Sequence, residues 1–209
     1  MSTTETQNGA AAATGTPITL ARLEIAAAEI EIVGLTPLIP HRFSQKAKAM
    51  MLAKQQGRAK PKAQPKDPEQ DAFDSAYWIE EGVQGIPSVA FKSAIADAAR
   101  FFDRSVTIET LKRAVFVKGE GPEQLVRLDA EWELFEANVR LASGVADLAY
   151  RYKLWPWSAT LTIEYIASSI TPEALVALVD AAGRNGVGDW RPSSPRSKTG
   201  VFGQFEVAA

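Results

Sequence analysis

His41 is the only histidine of the chain, and it opens a segment unlike the rest of the sequence. From His41 to Lys66 the residues Arg42, Lys46, Lys48, Lys54, Arg58, Lys60, Lys62 and Lys66 follow one another with no acid among them. An imidazole beside cations has two uses: proton transfer at a reacting phosphate, or simple fixing of a turn next to a phosphate-gripping surface. A histidine that only fixes a turn is the commoner case, and no tyrosine or second histidine stands near His41 in sequence. With Cys 0, thiol catalysis, disulfides and Cys-ligated zinc are excluded. Asp71, Asp74, Asp97 and Asp103 share neither a face nor a metal-ligand spacing, so metal-dependent cleavage has no visible basis and no cofactor is expected.

Three further basic clusters punctuate the chain. Lys92 and Arg100 lie within ~80° of each other on a helical wheel. Arg151 and Lys153 alternate with Tyr150, Tyr152 and Leu154, so Arg151, Lys153 and Trp155 share one strand face with Trp157 beyond. That face offers cations for phosphate and indoles for base stacking, although Trp155 and Trp157 also suit the covering of a core. The last cluster, 184–198, joins Gly186 and Gly188 to Trp190, Arg191, Arg196 and Lys198. Glycines let backbone N–H groups approach a phosphate, and Trp190 in a polar loop beside Arg191 is the better stacking candidate. The plain alternative is a glycine-rich turn with solvated arginines.

The elements that must carry these residues follow from periodicity. Residues 1–17 have little to bury and are predicted to form a disordered tail. Leu23 to Val33 alternates Ile30 and Ile32 with Glu29 and Glu31, a half-buried strand. Pro37 and Pro40 turn the chain, Ser44 is placed to cap a helix to Gln56, and a Lys/Pro stretch at 57–68 reads as a mobile loop. Ser88 is placed to cap a helix to about Phe102, with Phe91, Ile95, Ala98 and Phe102 as its buried stripe. Ala114 to Val117 (AVFV) reads as a further strand. In EWELFEANVRL the apolar phase changes, which predicts a bulge or a bend near Leu134. Leu148–Trp155 and Ala159–Tyr165 read as two strands separated by Pro156. Thr171-Pro172-Glu173 opens a helix with Leu175, Leu178, Val179 and Ala182 inward and Gly183 at its end. Val201–Val207 is the last strand.

The resulting class is α+β, with a ferredoxin-like β-α-β-β-α-β core, an antiparallel sheet and long insertions. One domain spans 18–209, with a basic insertion at about 41–70. The open sheet face of such a core is a common nucleic-acid platform.

Two segments carry a resemblance: IPSVAFKSAIADAAR (86–100), and GRNGVGDWRPSSPRSKTGVFGQFEV (183–207) leading into the final strand. With TPLIP ending the first strand, the chain resembles the RAMP superfamily, closest to the backbone subunits of CRISPR effector complexes, which polymerise along a guide RNA. It also resembles small phage and prophage proteins with a TPLI…H start and a GDWR…G-x-FG-x-F end. The Pro192-Ser193-Ser194-Pro195 segment departs from the compact glycine loop of the superfamily. The resemblance implies a non-catalytic single-stranded RNA- or DNA-binding protein that self-associates along its ligand. Arg42, Lys46, Lys48, Lys92, Arg100, Arg151, Lys153, Arg191, Arg196 and Lys198 would grip backbone, and Trp155, Trp157 or Trp190 would stack bases. RAMP endoribonucleases often use a histidine after the first strand, so His41 makes a metal-independent endoribonuclease the runner-up. A phage structural or assembly protein is the third reading. The chain has 209 residues and net charge −2, no apolar run of membrane length and no signal-peptide pattern, so a cytoplasmic protein is expected.

Overall fold

The computed structural model describes residues 20–43, 45–58, 65–103, 106–140, 144–195 and 199–209. The predicted tail (1–17), the cap Ser44, residues 59–64 of the Lys/Pro loop, Arg196 and Lys198 lie outside the described residues.

In chain order the elements are β1 (Ile25–Gly34), α1 (Gln45–Gln55), α2 (Pro68–Asp74), β2 (Trp78–Glu80), β3 (Val83–Pro87), α3 (Ser88–Ala98), a 3₁₀ turn (Ala99–Phe101), α4 (Ile108–Ala114), β4 (Val115–Val117), β5 (Leu125–Arg127), β6 (Asp129–Arg140), β7 (Ala146–Ile166), α5 (Pro172–Asn185) and β8 (Phe205–Val207). The main sheet runs β4-β7-β1-β8, all neighbours antiparallel, and β6 extends it along β7. With α3 between β1 and β4, and α5 between β7 and β8, this is the ferredoxin-like order. Both helices pack on one face of the sheet. There Phe91 and Ile95 of α3 and Leu175, Leu178, Val179 and Ala182 of α5 meet Ile30, Ile32, Leu161 and Ile163 of the central strands. A second sheet, β2-β3-β5, comes from the insertions.

Several local expectations change. The two predicted strands around Pro156 are one strand, β7, bent by a bulge. Ala130 pairs with Trp157 and Trp132 with Leu154, so Trp155 and Pro156 stand opposite the single Glu131. The extra residue moves the buried phase from Tyr152 and Leu154 to Trp157, Ala159 and Leu161. No bulge occurs at Leu134, which pairs in register with Tyr152. The apolar phase of β6 changes because both of its faces make aromatic contacts: Trp132 packs on Trp78 and Tyr152, whereas Phe135 packs on Trp190 and Phe202. Phe102 leaves the buried stripe because α3 tightens into the 3₁₀ turn after Ala98, and its ring is exposed. Ser88 is the first residue of α3 rather than its cap, following Pro87. Thr171 does cap α5, accepting from the Ala174 N–H at 3.2 Å. Gly183 lies inside α5, which ends at Gly186.

Candidate nucleic-acid interface

His41 follows a short stretch fixed on both sides. The Leu38 N–H donates to the Leu154 carbonyl at 3.0 Å, and the Leu154 N–H returns a bond to Leu38 at 2.8 Å, tying the turn to β7. On its other side the glycine loop docks: the Asp189 N–H donates to the Ile39 carbonyl at 2.8 Å, and Gly203 N–H donates to Pro37 at 2.7 Å. Gly188 sits at φ +79, where a Cβ would lie 2.6 Å from the Ile39 carbonyl oxygen. At Gly203, φ is +69 and a Cβ would overlap the Val187 carbonyl. These glycines serve close packing of backbone on backbone. The N–H groups of Gly186, Val187 and Asp189 are bonded to Ala182, Gly203 and Ile39, so the Gly186 N–H expected to face a phosphate is taken by an internal hydrogen bond.

The docked loop delivers Asp189 to His41. His41 Nδ1 lies 2.8 Å from Asp189 Oδ2, and Arg151 Nη2 lies 3.1 Å from His41 Nε2. Guanidinium N–H groups only donate, so Nε2 accepts and the imidazole proton sits on Nδ1 facing Asp189. His41 therefore has a partner that sequence spacing did not show, because Asp189 is far along the chain and arrives only by loop docking. Tyr77, also absent from the sequence reading of the site, reaches the His41 carbonyl through its hydroxyl at 3.4 Å. Burial raises the pKa of Tyr77, Arg42 pulls it down, and Glu123 and Asp189 push it up further.

Arg151 projects from the half-buried face of β7. Nη1 donates to the Tyr150 carbonyl at 2.7 Å, and Nε is buried without a partner. Burial lowers the pKa of this guanidinium, against the pull of Asp189 and Asp71. No carboxylate lies within ion-pair distance of it among the described residues. Beside it opens a cleft of about 300 Å³, lined by His41, Arg42, Lys46, Met50, Lys66, Asp71, Asp147 and Arg151 among others. Two of its cations are occupied: Arg42 pairs with Glu123, and Lys66 with Asp147, both at 2.5 Å. Lys46 and Lys48 are exposed and make no ion pair among the described residues.

The remaining expected contacts are scattered. Lys92 sits over the Phe116 ring at 4.1 Å, and Arg100 reaches Asp97 at 3.8 Å, both away from the cleft. Lys153 pairs with Glu133 at 2.5 Å and overlies Phe135. Arg191 turns inward, donating to Ser193 Oγ and to the Gly188 carbonyl, each at 3.0 Å. Trp155 is 45% exposed, but Trp157 is only 3% exposed and its indole N–H donates to the Thr36 carbonyl. The base-stacking role expected of Trp157 is thus corrected to a core role, a consequence of the bulge. Trp190 is half-buried in a cluster with Phe135 and Phe202 rather than free in a polar loop.

The open face of the main sheet, the expected nucleic-acid platform, carries the wrong charge for it. Glu29, Glu31, Glu164 and Glu206 point there, with Thr160 and Thr162, and Lys118 is paired with Glu164 at 2.8 Å. A groove of about 720 Å³ crosses this face, with Asp129 and the paired Glu120 and Arg127 also in its lining.

No protein-family model matches the chain, and no curated protein matches it. Two similar solved structures are a type III-B Cmr-beta complex bound to cognate target RNA, and Cmr6 from Pyrococcus furiosus. The first has 13% identity and TM-score 0.45, covering 88% of this chain and 59% of that one. The second has 11% identity and TM-score 0.41, covering 90% of this chain and 100% of that one. The present chain therefore spans 59% of the length of the Cmr-beta chain it matches.

Proposed function

We propose that this chain is a non-catalytic single-stranded nucleic-acid-binding protein that holds phosphate at the Arg151 cleft, with copies associating along the strand. The observation that carries the reading is Arg151 itself. A partly buried guanidinium with an unpartnered Nε and no carboxylate partner is stabilised by an anion. Lys46, in the cleft lining, adds charge with no ion pair among the described residues, and exposed Trp155 offers a ring for a base. The TPLIP and GDWR segments, with their likeness to small phage proteins, support a phage-encoded binder working in the host cytoplasm. No helix among the described residues is long and apolar enough to cross a membrane.

The Asp189–His41 pair favours a second reading, metal-independent RNA cleavage with His41 as acid–base. Arg151 stands against it, because its N–H group occupies the one imidazole nitrogen that would take a proton. His41 works better as a positioning residue that orients Arg151.

The test is a salt titration of affinity for single-stranded RNA and DNA, with wild type beside Arg151→Met. Log affinity is expected to fall with log salt by ~0.7 per phosphate contact, and Arg151→Met to flatten the slope by about one contact. Absence of binding near ~50 mM salt removes the reading and leaves an assembly protein that keeps only the fold.

A further inference from the structure

β1 pairs with β7 from Ile25 to Val33, but on its other side β8 reaches only part of it. Alternate residues of an antiparallel strand bond to opposite neighbours. The Ala167 N–H donates to the Glu24 carbonyl at 3.0 Å, so the even-numbered residues face the β7 side. The Ala208 N–H donates to the Glu31 carbonyl at 2.9 Å, and the Leu35 N–H to the Gln204 carbonyl at 2.8 Å, so the odd-numbered residues face the β8 side. Before Glu31, the N–H and C=O groups of Ile25, Ala27 and Glu29 therefore point outward, and no strand meets them among the described residues.

This edge carries none of the usual guards. Sheet edges are commonly protected by lysine, proline or a bulge. Ile25-Ala26-Ala27-Ala28-Glu29 contains neither residue and pairs with β7 in unbroken register. Its side chains leave the backbone accessible. Ile25 is 66% exposed, Ala27 and Glu29 are exposed, and the methyls of Ala26 and Ala28 pack on the core at the helix face.

We infer that this edge pairs antiparallel with the same edge of a second copy, about a two-fold axis at Ala27. The unpaired segment matches itself. With Ala27 beside the partner's Ala27, Ile25 stands beside the partner's Glu29 and Glu29 beside the partner's Ile25. Every outward N–H and C=O of the segment is then used, making about six hydrogen bonds at two per bonded pair. The two Glu29 side chains lie at opposite ends, ~14 Å apart at ~3.4 Å per residue, and the stem of each covers an exposed Ile25. Only alanines oppose one another between them, so no bulky or like-charged pair holds the backbones apart. The main sheets of the two copies become one, running β4-β7-β1 and then β1-β7-β4 of the partner, with each β8 beyond the ends of the new pairing. The contact is isologous and closes as a dimer. It forms without nucleic acid and is separate from the association along a strand proposed above. So short a pairing buries less than the ~800 Å² per partner of a stable interface, which makes the dimer weak and concentration-dependent.

The experiment is sedimentation velocity of the full chain without oligonucleotide, over a concentration series reaching ~200 μM, as a weak contact requires. The wild type is expected to pass from monomer to dimer and no further. Ala27→Pro removes an N–H that bonds to nothing in the single copy, and is expected to keep its circular dichroism and lose the dimer. Ala27→Lys and Ala27→Glu are each expected to dimerise about fivefold more weakly. Their equimolar mixture should dimerise at least as well as the wild type, because position 27 meets itself only in this register. Amide hydrogen exchange at Ala27 and Glu29 is expected to be fast in dilute solution and to slow as the dimer forms. A wild type still monomeric at ~200 μM overturns the proposal. So does a dimer that the Ala27 variants leave unchanged, or a mixture no better than its components. Slow exchange of these amides in a dilute monomer assigns the edge to another part of the same chain and also overturns it. Failure of the dimer leaves the salt titration of strand binding untouched.

Discussion

The open sheet face and the cleft beside His41 are both built on β7, yet they differ in charge and in origin. The sheet half of β7 presents Thr160, Thr162 and Glu164 beside Glu29 and Glu31 of β1, an acidic surface assembled by strand pairing alone. The ribbon half presents Arg151, which becomes part of a site only when the turn after β1 and the 186–190 loop fold onto it. Strand pairing thus leaves an acidic face, while the docked turn and loop leave a half-buried guanidinium with no carboxylate within ion-pair distance among the described residues. Fold order therefore says little about where a ligand sits; the loops packed against the fold say more.

Removing the loop docking should do the most damage. Gly203→Val meets both a left-handed backbone and the Val187 carbonyl, and should cost about 3 kcal/mol or more in urea denaturation. If the change is silent, the loop is not what assembles the cleft. A smaller effect is expected from the charges. Arg151→Met should weaken single-strand binding by about tenfold in low-salt anisotropy, the loss of a charge-assisted contact. Glu29→Gln/Glu31→Gln should leave the affinity of a single copy unchanged or slightly improved. Equal losses from both would mean that strand binding uses the sheet face too.

The indoles flanking the bulge divide the same way. Trp155→Ala should leave stability intact and cost ~1–3 kcal/mol of binding with an unchanged salt slope. Trp157→Ala should instead lower stability by ~3–5 kcal/mol, because it empties a buried site. His41→Ala should abolish no turnover, since none is expected, and should weaken binding only a few-fold by releasing Arg151; RNA cleavage lost with this substitution would reverse the ranking of the two readings. The least effect concerns Asp147 at the cleft edge, whose pKa is lowered by its hydrogen bond from Lys66, despite an opposing burial contribution. A depressed carboxylate adds stability above its unfolded value near ~3.9, and that contribution fades as pH falls through the folded value. Carboxyl NMR should show Asp147 titrating low in the wild type and near the ordinary value in Lys66→Met.

Local patterning was enough to read the core. Ile30 and Ile32 against Glu29 and Glu31, the Phe91–Ile95–Ala98 stripe, and the Thr171 cap with its Leu175–Ala182 face each depend on neighbours within a few residues. Together they gave the ferredoxin-like order. The short elements α2, β2, β3, α4 and β5 were not legible, because they lie in the insertions and, unlike the all-apolar β4, have neither a run nor enough periods to show a pattern. The basic run at 41–66 was equally legible, being a matter of composition.

What the sequence could not decide depends on groups distant in the chain. Asp189 meets His41 through a loop docked on Ile39, and no spacing rule links those positions. Trp157 turns inward because one extra residue in β7 shifts the pleat, a change of phase that alternation extrapolated from Tyr150 and Tyr152 reads in reverse. Arg151 and Arg191 look alike as exposed cations in a basic sequence. Packing leaves Arg151 beside a cleft with an unmade bond and turns Arg191 onto its own loop. Composition determined that the chain carries concentrated positive charge, whereas tertiary contacts decided which of those charges remain uncommitted, since a cation's availability depends on the carboxylates and carbonyls that folding brings within reach.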